Sequence, residues 1–282
     1  MIRKDLLKNI RLIVFDLDGT LLTSDNRIGS ESIRLVNELR KYNVRFSFAT
    51  GRLHSAIIEH AETLSLKTPL ISLDGSLIKN YPEDNIIFES YIPAKYVKKA
   101  IALADKLLLK IALCHGDAIY YTEHNSSIEI LLDKFGAKFE EIKQYGDYVD
   151  KTLELVVSGE YKDPIKYLAN KMAFPYTFGL STSYYKSHRR GDIYYFEARK
   201  QGVNKGTGLK KLASHLGIKI SETAVMGDWY NDRHMFDTGA LKIAVANAVP
   251  EIKHHADLIT KKTNDEDAAA EFLQMVLQAK KN

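Results

Sequence analysis

The sequence predicts an α/β fold in which a doubly wound, mostly parallel core sheet is interrupted by an inserted α+β domain. Three observations carry this. Short apolar runs at Leu12–Phe15, Val44–Ala49, Pro69–Leu73, Thr223–Met226 and Leu241–Val245 alternate with segments of helical spacing, the rhythm of strands joined by crossover helices. Each run ends in polar or acidic residues, and an open parallel sheet meets its ligand at the carboxyl ends of its strands. Between the two α/β stretches the pattern changes to hairpins mixed with helices. The expected division is a discontinuous core, residues 1–81 and 199–282, around an insertion of residues 82–198.

The chain is long enough for two ordinary domains, at 282 residues with 45% hydrophobic and 27% charged content. Its net charge of +4 is spread along the chain, which suits a small anionic substrate better than nucleic acid. One cysteine, Cys114, rules out an intrachain disulfide and a cysteine-rich zinc site. Met1–Asn9 is charged and lacks the apolar core of a signal peptide, and no run approaches the roughly 20 residues of a membrane span. A cytoplasmic protein is expected, with no membrane, nucleic-acid or obligate protein partner.

Element by element, Leu12–Phe15 is a buried strand because it is apolar throughout and β-branched at its centre. Ser30–Tyr42 places Ile33, Val36 and Leu39 at helical spacing, with Ser30 as its cap. Val44–Ala49 is the second strand, His54–Leu64 a helix and Pro69–Leu73 the third strand. Leu77-Ile78 and Ile86–Glu89 flank Pro82-Glu83-Asp84-Asn85, a hairpin leaving the sheet. In the insertion, Ala94–Leu109 is a helix, and Lys110–Leu113 with Ala118–Thr122 is a hairpin turning at His115-Gly116-Asp117. Ser126–Phe135 is helical, Leu153–Val157 a strand, and Asp163-Pro164 opens a helix to Met172. Tyr176–Leu180 and Ile193–Ala198 are further strands. The α/β rhythm resumes with a helix over Lys205–Leu216, stopped by Gly217. Thr223–Met226, Leu241–Val245 and Asp257–Ile259 are strands, Asn231–Thr238 is a helix, and the Glu266–Ala279 helix closes the chain.

The first strand runs straight into Asp16-Leu17-Asp18-Gly19-Thr20. Asp16 and Asp18 are two apart, so alternation starts their side chains on one side of the chain. Like charges held that close resist ionising together unless a cation is near, and a hard divalent ion, Mg2+ above all, suits oxygen ligands. Other strand ends and helix starts add Thr50, Lys205, Asp228, Asn231 and Asp232. A carboxylate nucleophile, a hydroxyl, an ammonium and further acids make the inventory of phosphoryl transfer, where catalysis is mostly positioning and charge neutralisation.

These stretches, in this order, resemble the haloacid dehalogenase superfamily: DLDGT at Asp16–Thr20, ATGR at Ala49–Arg52, NKG at Asn204–Gly206 and GDWYND at Gly227–Asp232. The place and size of the insertion resemble the Cof-like branch, with support from Leu73–Ser76, Val245–Ala248 and Asn264–Asp267. The resemblance implies a Rossmann-like core with an inserted α+β cap domain. It implies a phosphatase in which Asp16 is the nucleophile, forming an aspartyl-phosphate, and Asp18 the general acid and base. It also implies Mg2+ held by Asp16, Asp228 and the backbone carbonyl at Asp18, with Asp232 binding directly or through water. Thr50 and Lys205 would hold phosphoryl oxygens, with Gly51, Arg52 and Asn231 as further substrate contacts and Thr20 supporting the site near Asp18. A small phosphorylated metabolite is the expected substrate, a sugar phosphate or a phosphorylated cofactor precursor. The alternatives are a phosphotransferase or mutase on the same scaffold, and a non-catalytic phosphometabolite sensor. No GxxxxGK[ST] stretch is present for a P-loop ATPase.

Two departures stand out. Asp74 occupies a position where the branch usually has asparagine, and it is either an acid beside the crevice or a turn-forming residue facing solvent. Trp229-Tyr230 is bulkier than the residues usual inside that motif, and either lines the cap or contacts substrate. Tyr184–Asp192 concentrates aromatic and basic residues and reads as a solvated hairpin tip or a substrate contact. Glu197 is either a site residue or part of a structural ion pair, His254-His255 lacks partner ligands, and Cys114 reads as core.

Overall fold

The computed structural model describes residues 4–122, 138–186 and 193–282. They form two compact units, the first of Met1–Gly51, Ile57–Ile87 and Asn204–Asn282, the second of Arg52–Ala56 and Phe88–Val203.

The first unit is built on a parallel sheet of five strands, in the order Leu258–Ile259, Leu241–Ala244, Thr223–Gly227, Leu12–Phe15, Arg45–Phe48. Leu12–Phe15 is central and wholly buried, which is why it carries no polar residue: both of its faces are covered. Leu70–Ser72 touches this sheet through a parallel bridge from Ala49 to Ile71. It then turns into a three-stranded sheet with Leu77–Lys79 and Ile86–Glu89, so the expected hairpin is present. The Ala268–Lys281 helix packs on the Ser30–Arg40 helix.

Ser30 is not the cap of its helix. Gly29 takes that place without a side-chain bond, and Asp267 supplies the missing acceptor, bonding the Ser32 backbone N–H at 3.1 Å and the Ser32 hydroxyl. A cap delivered from 235 residues away satisfies the orphan donors as a local one does.

The second unit holds a six-stranded sheet, in the order Leu180–Lys186, Tyr194–Lys200, Glu154–Gly159, Lys110–Cys114, Ile119–Tyr121, Phe139–Glu141. Its pairs are antiparallel except the last, which is parallel. Ile111, Leu113, Leu155, Val157, Phe196 and Ala198 form one core with Val97 and Ala100 of the Ala94–Lys106 helix and Ile165 and Leu168 of the Lys162–Lys171 helix. The alternate residues of the same strands include Glu154, Glu197 and Arg199. Arg199 lies 3.0 Å from Glu154 and 3.8 Å from Glu197, and the Ser183 and Tyr185 hydroxyls donate to Glu197. Glu197 thus takes part in an ion-paired network within its own sheet. Cys114 is wholly buried in its strand, as its apolar setting implies.

The expected strand at Tyr176–Leu180 is a turn. The N–H groups of Tyr176 and Thr177 both donate to the Ala173 carbonyl, and the strand begins at Leu180. Tyr184 and Tyr185 therefore sit in a strand rather than at a hairpin tip, while Ser187–Asp192 and the helix expected at Ser126–Phe135 lie outside the described residues. Among the described residues no helix is long and apolar enough to cross a membrane.

His115 gives the second unit a pH dependence. Its Nε2 lies 2.8 Å from the Tyr148 carbonyl and its ring packs edge-on to Tyr120 at 4.7 Å. Burial is the main cause holding its pKa below the usual imidazole value, against a smaller upward pull from the Tyr148 carbonyl. The folded state therefore keeps His115 neutral where the unfolded chain is protonated. The associated stability is complete above the unfolded pKa of about 6.5 and is lost as pH falls from there through the folded value. Thermal melts between pH 7.5 and pH 5 should show His115→Gln losing less stability with acidification than the wild type; parallel curves would contradict this.

Candidate active site

The site forms where the Leu12–Phe15 and Thr223–Gly227 strands end side by side. Their parallel pairing puts Phe15 opposite Met226, so the residues that follow, Asp16 and Asp228, emerge as neighbours although 212 positions apart in sequence. Asp16, Asp228 and Asp232 are all buried, and each offers a carboxylate oxygen within 4.8 Å of the others.

Lys205 lies among them with no exposed surface. Its Nζ donates to Asp16 Oδ1 at 2.5 Å and to Asp232 Oδ1 at 2.7 Å. The backbone delivers it by a local rule: Asn204 caps the Lys205–His215 helix, accepting from the Thr207 N–H at 2.9 Å, while the Asn204 N–H donates to the Thr207 hydroxyl at 3.1 Å. This reciprocal capping box fixes the helix start and with it the root of the lysine.

Electrostatics follow from this packing. Burial first, then the Asp232 charge, holds the Asp16 carboxyl well above the usual carboxylate range, with Lys205 pulling the other way. Asp228 is pushed up to about 7, again chiefly by burial and then by Asp232. For Lys205 burial pulls downward, but Asp16, Asp232 and Asp74 together leave its pKa raised, so it stays an ammonium. The acids thus lack positive charge: one ammonium serves a cluster in which Asp16 and Asp228 resist ionising. An all-oxygen donor set in that condition fits a hard divalent cation, whose charge would let the carboxylates ionise together.

Asp232 spends its oxygens structurally. Oδ1 faces Lys205, and Oδ2 accepts from the backbone N–H groups of Asp228 at 2.9 Å and Trp229 at 3.1 Å. It thereby ties the loop that carries Asp228. Gly227 makes this possible, since a Cβ there would lie 2.6 Å from the Asp232 carboxylate. The Thr20 hydroxyl donates to Asp228 Oδ1 at 2.9 Å, which ties Thr20 to the acid cluster through Asp228. Gly19, at φ +79, lies against the same carboxylate, with room for no Cβ.

Asp16 is buried but Asp18 is exposed, and its carboxylate is not part of the three-acid cluster. The strand stops at Phe15, so pleat alternation does not carry through Asp18. Its charge still reaches Asp16, as one of the causes raising that carboxyl. Thr50 is buried, its N–H donating to the Ile71 carbonyl at 3.0 Å. Gly51 and Arg52 are half-buried, and Arg52 belongs to the second unit. Asn231 donates from Nδ2 to Asp74 Oδ1 at 3.0 Å. Asp74 is buried rather than facing solvent. Trp229 and Tyr230 stand exposed, their rings edge-to-face at 5.2 Å.

Sequence reasoning missed the bracing of the Asp16 loop. Asn247 Nδ2 donates to the Gly19 carbonyl at 2.8 Å, Asn264 Nδ2 to the Leu22 carbonyl at 2.9 Å, and Asp265 accepts from the Ser24 N–H at 2.6 Å. The stretches Val245–Ala248 and Asn264–Asp267 were the available signal. Asn247 follows the Leu241–Ala244 strand, and Asn264 and Asp265 lie in a 3-10 turn.

Comparison with known proteins agrees with this geometry. A model of the family described as haloacid dehalogenase-like hydrolase matches residues 13–273. Phosphatase YwpJ of Bacillus subtilis is 27% identical, aligned over 95% of this chain and 100% of its own length. The Bacillus subtilis 5-amino-6-(5-phospho-D-ribitylamino)uracil phosphatase YitU is 26% identical over 93% of this chain and 96% of its own. The crystal structure of a haloacid dehalogenase-like hydrolase from Bacteroides thetaiotaomicron shares the fold, with a TM-score of 0.82 at 24% identity, over 95% of this chain and 99% of that one. The chain therefore belongs to the haloacid dehalogenase-like hydrolases and is an enzyme of that family's phosphatase type.

Proposed function

We propose that this enzyme hydrolyses the phosphomonoester of a small phosphorylated metabolite, a sugar phosphate or a phosphorylated cofactor precursor, with Mg2+ and through an aspartyl-phosphate on Asp16. The observation that carries the proposal is the cluster of Asp16, Asp228 and Asp232 closed around the buried Lys205. The name of YitU, the phosphatase of a ribitylaminouracil phosphate, supports a small phosphorylated metabolite as substrate.

The Asp16 carboxylate attacks phosphorus, the bond to the leaving oxygen breaks, and Asp18 protonates that oxygen. Asp18 then takes a proton from water, which attacks the same phosphorus and breaks its bond to Asp16, releasing phosphate and restoring the carboxylate. Asp18 suits this exchange because it is exposed and can meet both substrate and water. Thr50, Lys205, Asn231 and the Gly51 N–H hold the phosphoryl oxygens, with Arg52 as a further substrate contact. Asp16, Asp228 and the Asp18 carbonyl are the residues to hold Mg2+, with Asp232 acting through water because its oxygens already face three donors. The ion, when bound, supplies positive charge that lets the acids ionise and offsets charge on the phosphoryl group. The insertion, residues 82–198, serves as the cap that closes on substrate and reopens for release.

Phosphate release from a panel of small phosphomonoesters, with Mg2+ and with excess chelator, tests the reading. Turnover that falls at least tenfold on chelation and returns with Mg2+ is expected, a loss on the order of that for removing charge stabilisation. A folded protein that releases no phosphate from any ester would contradict it. Transfer between sugar hydroxyls without free phosphate would point to a mutase, and phosphometabolite binding without either reaction to a sensor.

A further inference from the structure

Asp74 is a buried carboxylate beside a site that must accept an anion, a costly placement unless the group does something. It sits in the turn Leu73-Asp74-Gly75, where Leu73 (φ 47), Asp74 (φ 49) and Gly75 (φ 99) all take left-handed backbone. Among the links that leave this turn, three bear on the site. The Asp74 N–H donates to the Thr50 carbonyl at 2.9 Å. The Asp74 carboxylate accepts from Asn231 Nδ2 at 3.0 Å. Gly75 is pressed against the residue that caps the Lys205 helix, so closely that a Cβ would lie 2.4 Å from the Asn204 carbonyl oxygen.

We propose that Asp74 is a positioning residue, which through this turn and its bond to Asn231 sets Thr50, Asn231 and Lys205 in register for phosphoryl oxygens. The inference rests on the phosphatase reading above for what those three residues hold. A carboxylate performs this task in a way an amide does not. It only accepts, so Asn231 must turn its NH2 toward Asp74 and keeps its second N–H for another oxygen; a facing amide would permit either flip. The charge also strengthens the bond, and it bears on the Lys205 ammonium, which offsets it.

The test is a double-mutant cycle over Asp74→Ala and Asn231→Ala, read twice. One reading is binding of inorganic phosphate in the presence of Mg2+ by calorimetry; the other is KM and kcat on para-nitrophenyl phosphate. Asp74→Ala should weaken phosphate binding and raise KM by about tenfold, lower kcat by less than about threefold, and cost no more than about twofold in the Asn231→Ala background. Asp74→Asn, which keeps an acceptor but permits the flip and loses the charge, should fall between wild type and Asp74→Ala in phosphate affinity and KM; affinity and KM equal to wild type would contradict the role given to the carboxylate. Equal cost in both backgrounds, or a lowered melting temperature with phosphate affinity and KM unmoved, overturns the proposal. If Asp74→Ala fails to fold, Asn231→Asp sets two carboxylates face to face. It should bind phosphate more weakly than Asn231→Ala, and adding Asp74→Asn should recover part of the loss; no recovery overturns the proposal. Coupled phosphate binding in a wild type that hydrolyses nothing would keep this inference and sink the phosphatase reading. Hydrolysis without coupling would do the reverse, and a wild type that neither binds nor releases phosphate would sink both.

Discussion

Replacing Asp16 with asparagine is expected to abolish turnover of every phosphomonoester the wild type accepts, with kcat down by at least about a thousandfold. The amide has nearly the same shape, so the site stays packed, but it is a poor nucleophile and carries no charge. Folding should survive or improve. Burial and the Asp232 charge hold the Asp16 carboxyl high, which means that the ionised form is a burden on the folded state that asparagine removes. Steady-state kinetics and a urea melt on the same preparation check both halves. Turnover within tenfold of wild type would exclude Asp16 as the attacking group.

Lys205→Met carries the second large effect. The lysine is fully buried and is the common partner of Asp16 and Asp232. A methionine fills the volume but leaves two buried carboxylates without their ammonium. Breaking a buried pair on one side costs about 3–5 kcal/mol, so metal-free Lys205→Met should lose stability of that order. Adding Asp16→Asn should restore part of it, because one uncompensated acid is then gone. Denaturant melts in chelator at pH 7 decide this. A loss below about 1 kcal/mol would mean that the carboxylates take up protons without penalty.

Much of this architecture can be read in the residues because burial leaves a plain mark on short strands. Leu12–Phe15 and Thr223–Gly227 are buried along their whole length, and a run as apolar as Leu12–Phe15 or Ala224–Met226 has few other uses. The helix over Lys205–His215 was legible from its spacing and from Gly217, which takes φ +63 just beyond its end. Tyr176–Leu180 misled because aromatic residues favour strands, whereas the backbone there is committed to a turn on Ala173. The residues that spacing and resemblance single out for the site lie at strand ends and helix starts, positions that a sequence marks with polar residues. Their pairings were not legible. Thr20 meets Asp228, Asp74 meets Asn231 and Asp267 meets Ser32, all across large gaps in sequence. No local rule predicts such contacts, since they depend on which strands lie side by side.

The most direct test is to quench the enzyme with acid during turnover of a good phosphomonoester and to weigh the peptide that contains Asp16. The account predicts a gain of one HPO3 on Asp16, present only with substrate and Mg2+ and absent in Asp16→Asn. Continued release of phosphate with Asp16 unmodified, and undiminished in Asp16→Asn, would contradict it.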